Sequence, residues 1–144
     1  KDKLKGSISH DPKNHQEMVN TRKRKVELVA EELPELKVFG AEEADVLVVG
    51  WGGTRGHLHS AVQQLQEEGK SVAHLHFNYI YPMQKGVADI LKRYKRIVVC
   101  ELNEGQFANY LRQQFTDVVI ESYGKTEGQP FTVIEIKEKV NSML

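Results

Sequence analysis

Apolar residues gather in four short blocks along the chain, and after each block they recur every three or four positions. The run Ala44-Asp45-Val46-Leu47-Val48-Val49-Gly50 is nearly unbroken and β-branched, the pattern of a parallel strand covered on both faces. Gly52, Gly53 and Thr54 follow, and Leu58, Ala61, Val62 and Leu65 then keep helical spacing up to Gly69, which predicts strand, glycine turn and helix. The alternation repeats. Residues 71–77 read as a strand, and Val87, Ile90, Leu91 and Tyr94 mark a helix opening near Pro82. Residues 96–101 are a second buried strand, and Phe107, Tyr110, Leu111 and Phe115 mark the next helix. A strand over 117–122 and a loop over 124–130 lead to Thr132 and Glu135, a capping-box pair opening a last helix through Ile136, Val140 and Met143.

Upstream the pattern is sparser. Residues 1–10 have no periodicity and read as a tail. Asp11-Pro12 is a good helix opening, because Asp accepts from the first free amides and Pro belongs in the first turn. Met18, Val19, Val26, Val29 and Leu33 then form a thin apolar stripe around the basic run Arg22-Lys23-Arg24-Lys25, predicting one long helix that ends before Pro34. Residues 36–43 are turn-like. The whole predicts a three-layer α/β/α fold with a mainly parallel sheet, preceded by one long helix. Residues 1–43 are expected to be a loop and interdomain helix, and 44–144 a single α/β domain.

Composition narrows the function classes. The 144 residues carry 20 Lys+Arg against 20 Asp+Glu, a formal net charge of +0, which argues against a general nucleic-acid binder and leaves the basic run as a solvated helix face. A chain of this length buries about two thirds of its unfolded surface, enough for a core without disulfides or metals. Its single cysteine, Cys100, excludes a disulfide framework and any multi-thiolate metal or iron–sulfur site within the chain, and fits a reducing, cytoplasmic setting. No apolar run is long enough for a membrane span or signal peptide, and the first residue is Lys rather than Met, as expected of a portion of something longer.

Four features carry candidate chemistry. Gly50-Trp51-Gly52-Gly53-Thr54-Arg55-Gly56 puts glycines before a helix N-terminus, where free amides suit phosphate or carboxylate; the structural alternative is a tight turn with Thr54 as N-cap. His57 and His59 open the same helix, and His74 and His76 share one strand face, which fits a metal pair or, with no thiolate or carboxylate at a ligand spacing, an edge strand or subunit contact. Asn78-Tyr79-Ile80-Tyr81-Pro82 offers two tyrosines at a strand end for recognition or an interface. Glu101-Leu102-Asn103-Glu104-Gly105-Gln106 ends a buried strand, where open α/β sheets place ligands. Asn103 reads as N-cap of the next helix and Gln106 as its capping-box partner, while Glu101 must reach solvent, a basic group or a ligand. Cys100, preceded by two valines, reads as buried and inert.

The order of these features resembles a known family. Val48-Val49-Gly50-Trp51-Gly52-Gly53-Thr54, Tyr81-Pro82 and above all Val98-Val99-Cys100-Glu101-Leu102-Asn103-Glu104-Gly105-Gln106 resemble the C-terminal, transketolase-like domain of the alpha subunit of 2-oxoacid:ferredoxin oxidoreductases, most closely the 2-oxoglutarate branch. Gly6-Ser7-Ile8-Ser9-His10-Asp11 and the helix through Met18, Arg22, Lys23 and Lys25 resemble the segment leading into that domain. Gly53-Thr54 departs from the family's common Gly-Ser-Thr, and no Gly-Asp-Gly motif is present.

The resemblance implies oxidative decarboxylation of a 2-oxoacid to its acyl-CoA, with thiamine diphosphate, Mg and iron–sulfur clusters in the full complex and none bound by this fragment. It implies a beta subunit, ferredoxin and CoA as partners, and a domain that serves assembly and CoA positioning. Gly52, Gly53, Thr54, Glu101, Asn103 and Gln106 are then ligand-bordering or interface positions, with no proton-transfer role. The alternative from another class is a freestanding anion- or nucleotide-binding α/β module.

Overall fold

A computed structural model describes residues 1–144 as two compact units, one of residues 1–35 and 81–85, the other of 36–80 and 86–144.

In the first unit, helix α1 (Pro12–Leu28) starts as expected. Asp11 caps it by accepting from the Lys13 and Asn14 amides at 3.1 and 3.3 Å, and a 3-10 turn at Val29–Glu31 ends it before Pro34. Its basic run is exposed, and so are Val19, Val26 and Val29 of the apolar stripe. Gln84 donates to the Pro34 carbonyl at 2.7 Å and Lys85 pairs with Glu31, so residues 81–85 are held here and do not begin the helix expected near Pro82.

The second unit is built on five strands, β1 (Val38–Phe39), β2 (Ala44–Trp51), β3 (Val72–Phe77), β4 (Tyr94–Glu101) and β5 (Ile120–Gly124), in the order β1-β3-β2-β4-β5. All pairings are parallel except β1 with β3. The helices are α2 (Arg55–Glu67), α3 (Val87–Leu91), α4 (Gln106–Gln114) and α5 (Val133–Asn141). Side chains alternate across each strand, so Val46, Val48, Val72, Val98 and Cys100 share one face and pack with Leu58, Ala61, Val62 and Leu65 of α2 and Ile136 and Val140 of α5. On the opposite face Phe77 meets Phe107 of α4, ring centroids 5.0 Å apart. This is the expected mainly parallel sheet between helical layers.

Three boundaries differ from expectation. Residues 36–43 supply the short strand β1, not just a turn. Tyr94 opens β4 rather than ending a helix, because its ring is buried and its hydroxyl donates to the Ala41 carbonyl at 2.9 Å. α3 is therefore a five-residue helix starting after Gly86, whose φ is +81°. β5 runs 120–124, because its register places Ile120 beside Ile97 and Gly124 beside Glu101, while Arg112 donates twice to the Ile120 carbonyl, at 2.9 and 2.7 Å. At the outer edge of β3, Gln66 Nε2 donates to the Val72 carbonyl at 2.9 Å.

The capping box of α5 forms in full: Thr132 Oγ1 accepts from the Glu135 amide at 3.2 Å, and Glu135 Oε2 accepts from the Thr132 amide at 2.6 Å. Thr132→Ala is expected to cost about 1 kcal/mol in denaturant unfolding. The ammonium of Lys125, then the Thr132 amide and hydroxyl, hold the Glu135 carboxyl down at about 2. Its folded value lies below its unfolded one, so its stabilising effect is present above the ordinary glutamate range and fades as pH falls toward about 2.

Candidate functional site

The strand order creates a switch point. From β2 the chain moves outward to β3, then returns past β2 to β4, so the loops after the neighbouring strands β2 and β4 lead away from each other. Open α/β sheets bind ligands in the crevice this leaves at the carboxyl ends of the strands. Both sequence motifs singled out for ligand chemistry lie there.

After β2, Gly50 leaves no room for a side chain, since a Cβ would sit 2.2 Å from Leu58 Cδ1 and 2.6 Å from Thr54 Oγ1. Gly52 turns the chain with φ +58°. Thr54 occupies the N-cap position of α2 but does not cap it. Its hydroxyl turns back, donating to the Trp51 carbonyl at 2.9 Å and accepting from the Trp51 amide at 3.2 Å, and no side chain caps α2.

After β4, Glu101 is fully buried and meets neither solvent, nor a base, nor open space. Its carboxylate accepts from the amides of Phe107 and Ala108, both at 2.8 Å, and from the Trp51 indole N–H at 3.3 Å. A strand-end carboxylate thus satisfies the first amides of α4, where the helix dipole favours negative charge, and ties them to the end of β2. Glu101, expected as a ligand-bordering or interface position, lies beneath the surface and fixes the loops above it. Asn103 Oδ1 accepts from the Gly105 and Gln106 amides at 2.8 and 3.0 Å, closing a turn one step before the helix. The N-cap position is Gly105, φ +85°, and the expected reciprocal bond from Gln106 is absent.

Above this frame lie two recesses. One, of about 110 Å³, is bordered by Trp51, Gly53, Thr54, Leu102 and Asn103. The other, of about 570 Å³, is bordered by Leu102, Asn103, Glu104, Gln106 and the loop after β5. The edge therefore brings Gly53, Thr54, Asn103 and Gln106 together, with Gly52 on the turn beside them. Sequence reasoning missed two contributors. The Trp51 indole was passed over within a glycine motif, and Lys125, held by Glu135 at 2.7 Å, sits in a segment marked only by its glycines as a loop.

The remaining candidates are placed as follows. Tyr79 and Tyr81 are each exposed. β3 is not an edge strand at His74, because β1 pairs with it at His74 and Leu75. The rings of His59, His74 and His76 follow one another at 6.1 and 5.8 Å. No group of three His, Cys, Asp or Glu side chains in the chain is arranged to hold a metal ion. Cys100 is buried, and burial pushes its thiol up to about 12. Folded protein is therefore expected to resist thiol reagents over hours and to label at once in denaturant; rapid labelling of the native chain would contradict this environment.

Comparison with known proteins gives the same direction throughout. Residues 44–136 match the family model described as pyruvate:ferredoxin oxidoreductase core domain II. The chain is 34% identical over 140 residues to the 2-oxoglutarate oxidoreductase subunit KorA of Mycobacterium tuberculosis, covering 96% of this chain and 21% of that protein. It is 35% identical over 123 residues to the alpha subunit of 2-oxoacid:ferredoxin oxidoreductase 1 of Aeropyrum pernix, covering 81% of this chain and 18% of the relative. The chain thus spans about a fifth of the length of these relatives. Among solved structures, the 2-oxoglutarate:ferredoxin oxidoreductase of Magnetococcus marinus, with 2-oxoglutarate, coenzyme A and succinyl-CoA bound, superposes with a TM-score of 0.86 at 31% identity, over 96% of this chain and 24% of that one. With this fold, this switch-point edge and these relatives, the chain belongs to the pyruvate:ferredoxin oxidoreductase core domain II family.

Proposed function

We propose that the chain is the C-terminal domain of the alpha subunit of a thiamine-diphosphate-dependent 2-oxoglutarate:ferredoxin oxidoreductase, which joins the acyl group left by decarboxylation to CoA and passes the electrons to ferredoxin. The carrying observation is the superposition over 96% of the chain on an enzyme whose structure holds 2-oxoglutarate, coenzyme A and succinyl-CoA. In this reading residues 1–43 lead in from a preceding domain and 44–144 form the transketolase C-terminal-like unit, in a cytoplasmic complex with a beta subunit.

Thiamine diphosphate, when bound, stabilises the carbanion that decarboxylation leaves. The residues of this chain do not fit a Mg ion or an iron–sulfur cluster: no group of three His, Cys, Asp or Glu side chains is arranged to hold a metal ion, and the one thiol is buried. No step of the reaction is therefore assigned to this chain. Its part is to present an edge. Gly52 and Gly53 leave open backbone, Leu102 is 44% exposed, and Asn103 and Gln106 offer polar groups beside it, a mixture suited to a subunit or CoA contact.

The test is co-expression of the full-length alpha subunit with its beta subunit. Ferredoxin reduction that requires both 2-oxoglutarate and CoA is expected. Leu102→Asp is expected to leave the melting temperature of the alpha subunit unchanged while lowering recovery of the complex or raising the KM for CoA. No reduction with any 2-oxoacid would overturn the activity, and a fully active, intact complex from the Leu102 variant would overturn the role of this edge.

A further inference from the structure

One feature takes no part in the switch-point edge: a cavity of about 250 Å³ lined by Lys37, Phe39, Arg55, His59, His74 and His76, with Val38. We propose that this cavity is a binding site for a phosphate-class oxyanion, free or carried as a phosphate ester.

The lining contains two permanent cations and three imidazoles but no carboxylate. Neither Lys37 nor Arg55 forms an ion pair elsewhere, although most of the other basic side chains of the unit do. The rings pack against one another, and His76 also bonds the Gly52 backbone. His59 lies against Phe39 with centroids 4.0 Å apart, and His74 sits between His59 and His76. His74 is only 3% exposed. Its Nε2 and the Nδ1 of His76 are buried without any partner, and a buried polar atom left unpaired is costly.

The sign of the ligand follows from the cluster itself. Burial, then the neighbouring imidazoles and Arg55, push His74 down to about 3, and burial and Arg55 also lower His76. Lys37 and Arg55 would repel an entering cation, and these imidazoles are not arranged as a metal-ligand group. An anion is attracted by both side chains. A monoprotonated phosphate suits the donor set better than a carboxylate, because it offers acceptors to the guanidinium and the ammonium together with one O–H that a neutral imidazole nitrogen can accept. This site lies on the face of β3 turned to α2 and involves none of the residues of the recesses described above, so it does not depend on the proposed enzyme reading.

Titration of the 144-residue chain with inorganic phosphate, followed by the ring nitrogen signals of its histidines, tests the proposal. Saturable shifts of His59, His74 and His76, with His10 and His15 unmoved, are expected. Arg55→Gln should weaken the apparent affinity about tenfold or more, the scale of a lost charge-assisted hydrogen bond. His74→Phe, which fills the space with an apolar ring and keeps the core packed, should abolish the shifts while the chain stays folded. Parallel titration with CoA separates the sources: the same shifts at lower concentration identify an ester phosphate, and shifts with inorganic phosphate alone identify the free ion. Non-saturating or uniform histidine shifts, an unaltered affinity in Arg55→Gln, or stoichiometric uptake of zinc at these rings would each overturn the proposal.

Discussion

Glu101→Ala is expected to lower the unfolding free energy by about 3–5 kcal/mol, as much as truncating a large buried apolar side chain. The change strands the buried amides of Phe107 and Ala108 at the start of α4 and the indole N–H of Trp51, and it empties the space between two strand ends. Against the roughly 5–15 kcal/mol that holds a domain of this size together, such a loss is a large fraction of the total. Glu101→Gln keeps the volume and one acceptor oxygen but turns an NH2 group toward an N–H donor, so about half that loss is expected. Denaturant unfolding measures both. Hydrogen exchange adds a local reading, since Phe107 and Ala108 should lose protection in the alanine variant before the amides of β2 do. A loss below about 1 kcal/mol in Glu101→Ala would mean that the carboxylate does not hold these loops. Because the side chain is buried, charge reversal at Glu101 is expected to act on folding first and on association only as a consequence.

Gly124→Ala should destabilise by about 2–3 kcal/mol, although glycine-to-alanine changes at open positions commonly stabilise. The reason is space. Gly124 lies opposite Glu101 in the β4–β5 register, and a Cβ there would come within 2.3 Å of the Asn103 carbonyl oxygen, a backbone atom that cannot swing aside. Either β5 gives up its last pairing or the 102–105 turn moves, and the second course disturbs the recess that Asn103 borders. Gly53→Ala is the matched control, since a Cβ there meets nothing within 4 Å. Thermal melts of the two variants should differ by several degrees. Equal melting would show that the turn yields without cost.

These two positions also show what could be read from sequence and what could not. The runs that became β2 and β4 were legible because strands covered on both faces admit almost no polar residue. The α5 cap was legible because Thr132 and Glu135 satisfy each other within one turn. Glu101 was recognisable as a problem, a carboxylate where none should be free, but its solution was not. Trp51 stands fifty positions earlier, and the pairing exists only because β2 and β4 are neighbours in space. Tyr94 kept helical spacing with Ile90 and Leu91, yet the bond of its hydroxyl to Ala41 and its place beside Ala44 set it in a strand. Two residues, Val38 and Phe39, are too few for any periodicity to show.

The shortness of β1 has a further consequence at the rim of the sheet. A strand of two residues covers β3 only at His74 and Leu75, and an uncovered strand edge is a template on which another chain can add. The Val72 carbonyl, nearer the start of β3, is already occupied by the Gln66 amide, so a side chain substitutes there for the backbone that β1 does not supply. That single glutamine shortens the stretch of β3 edge left open to another strand.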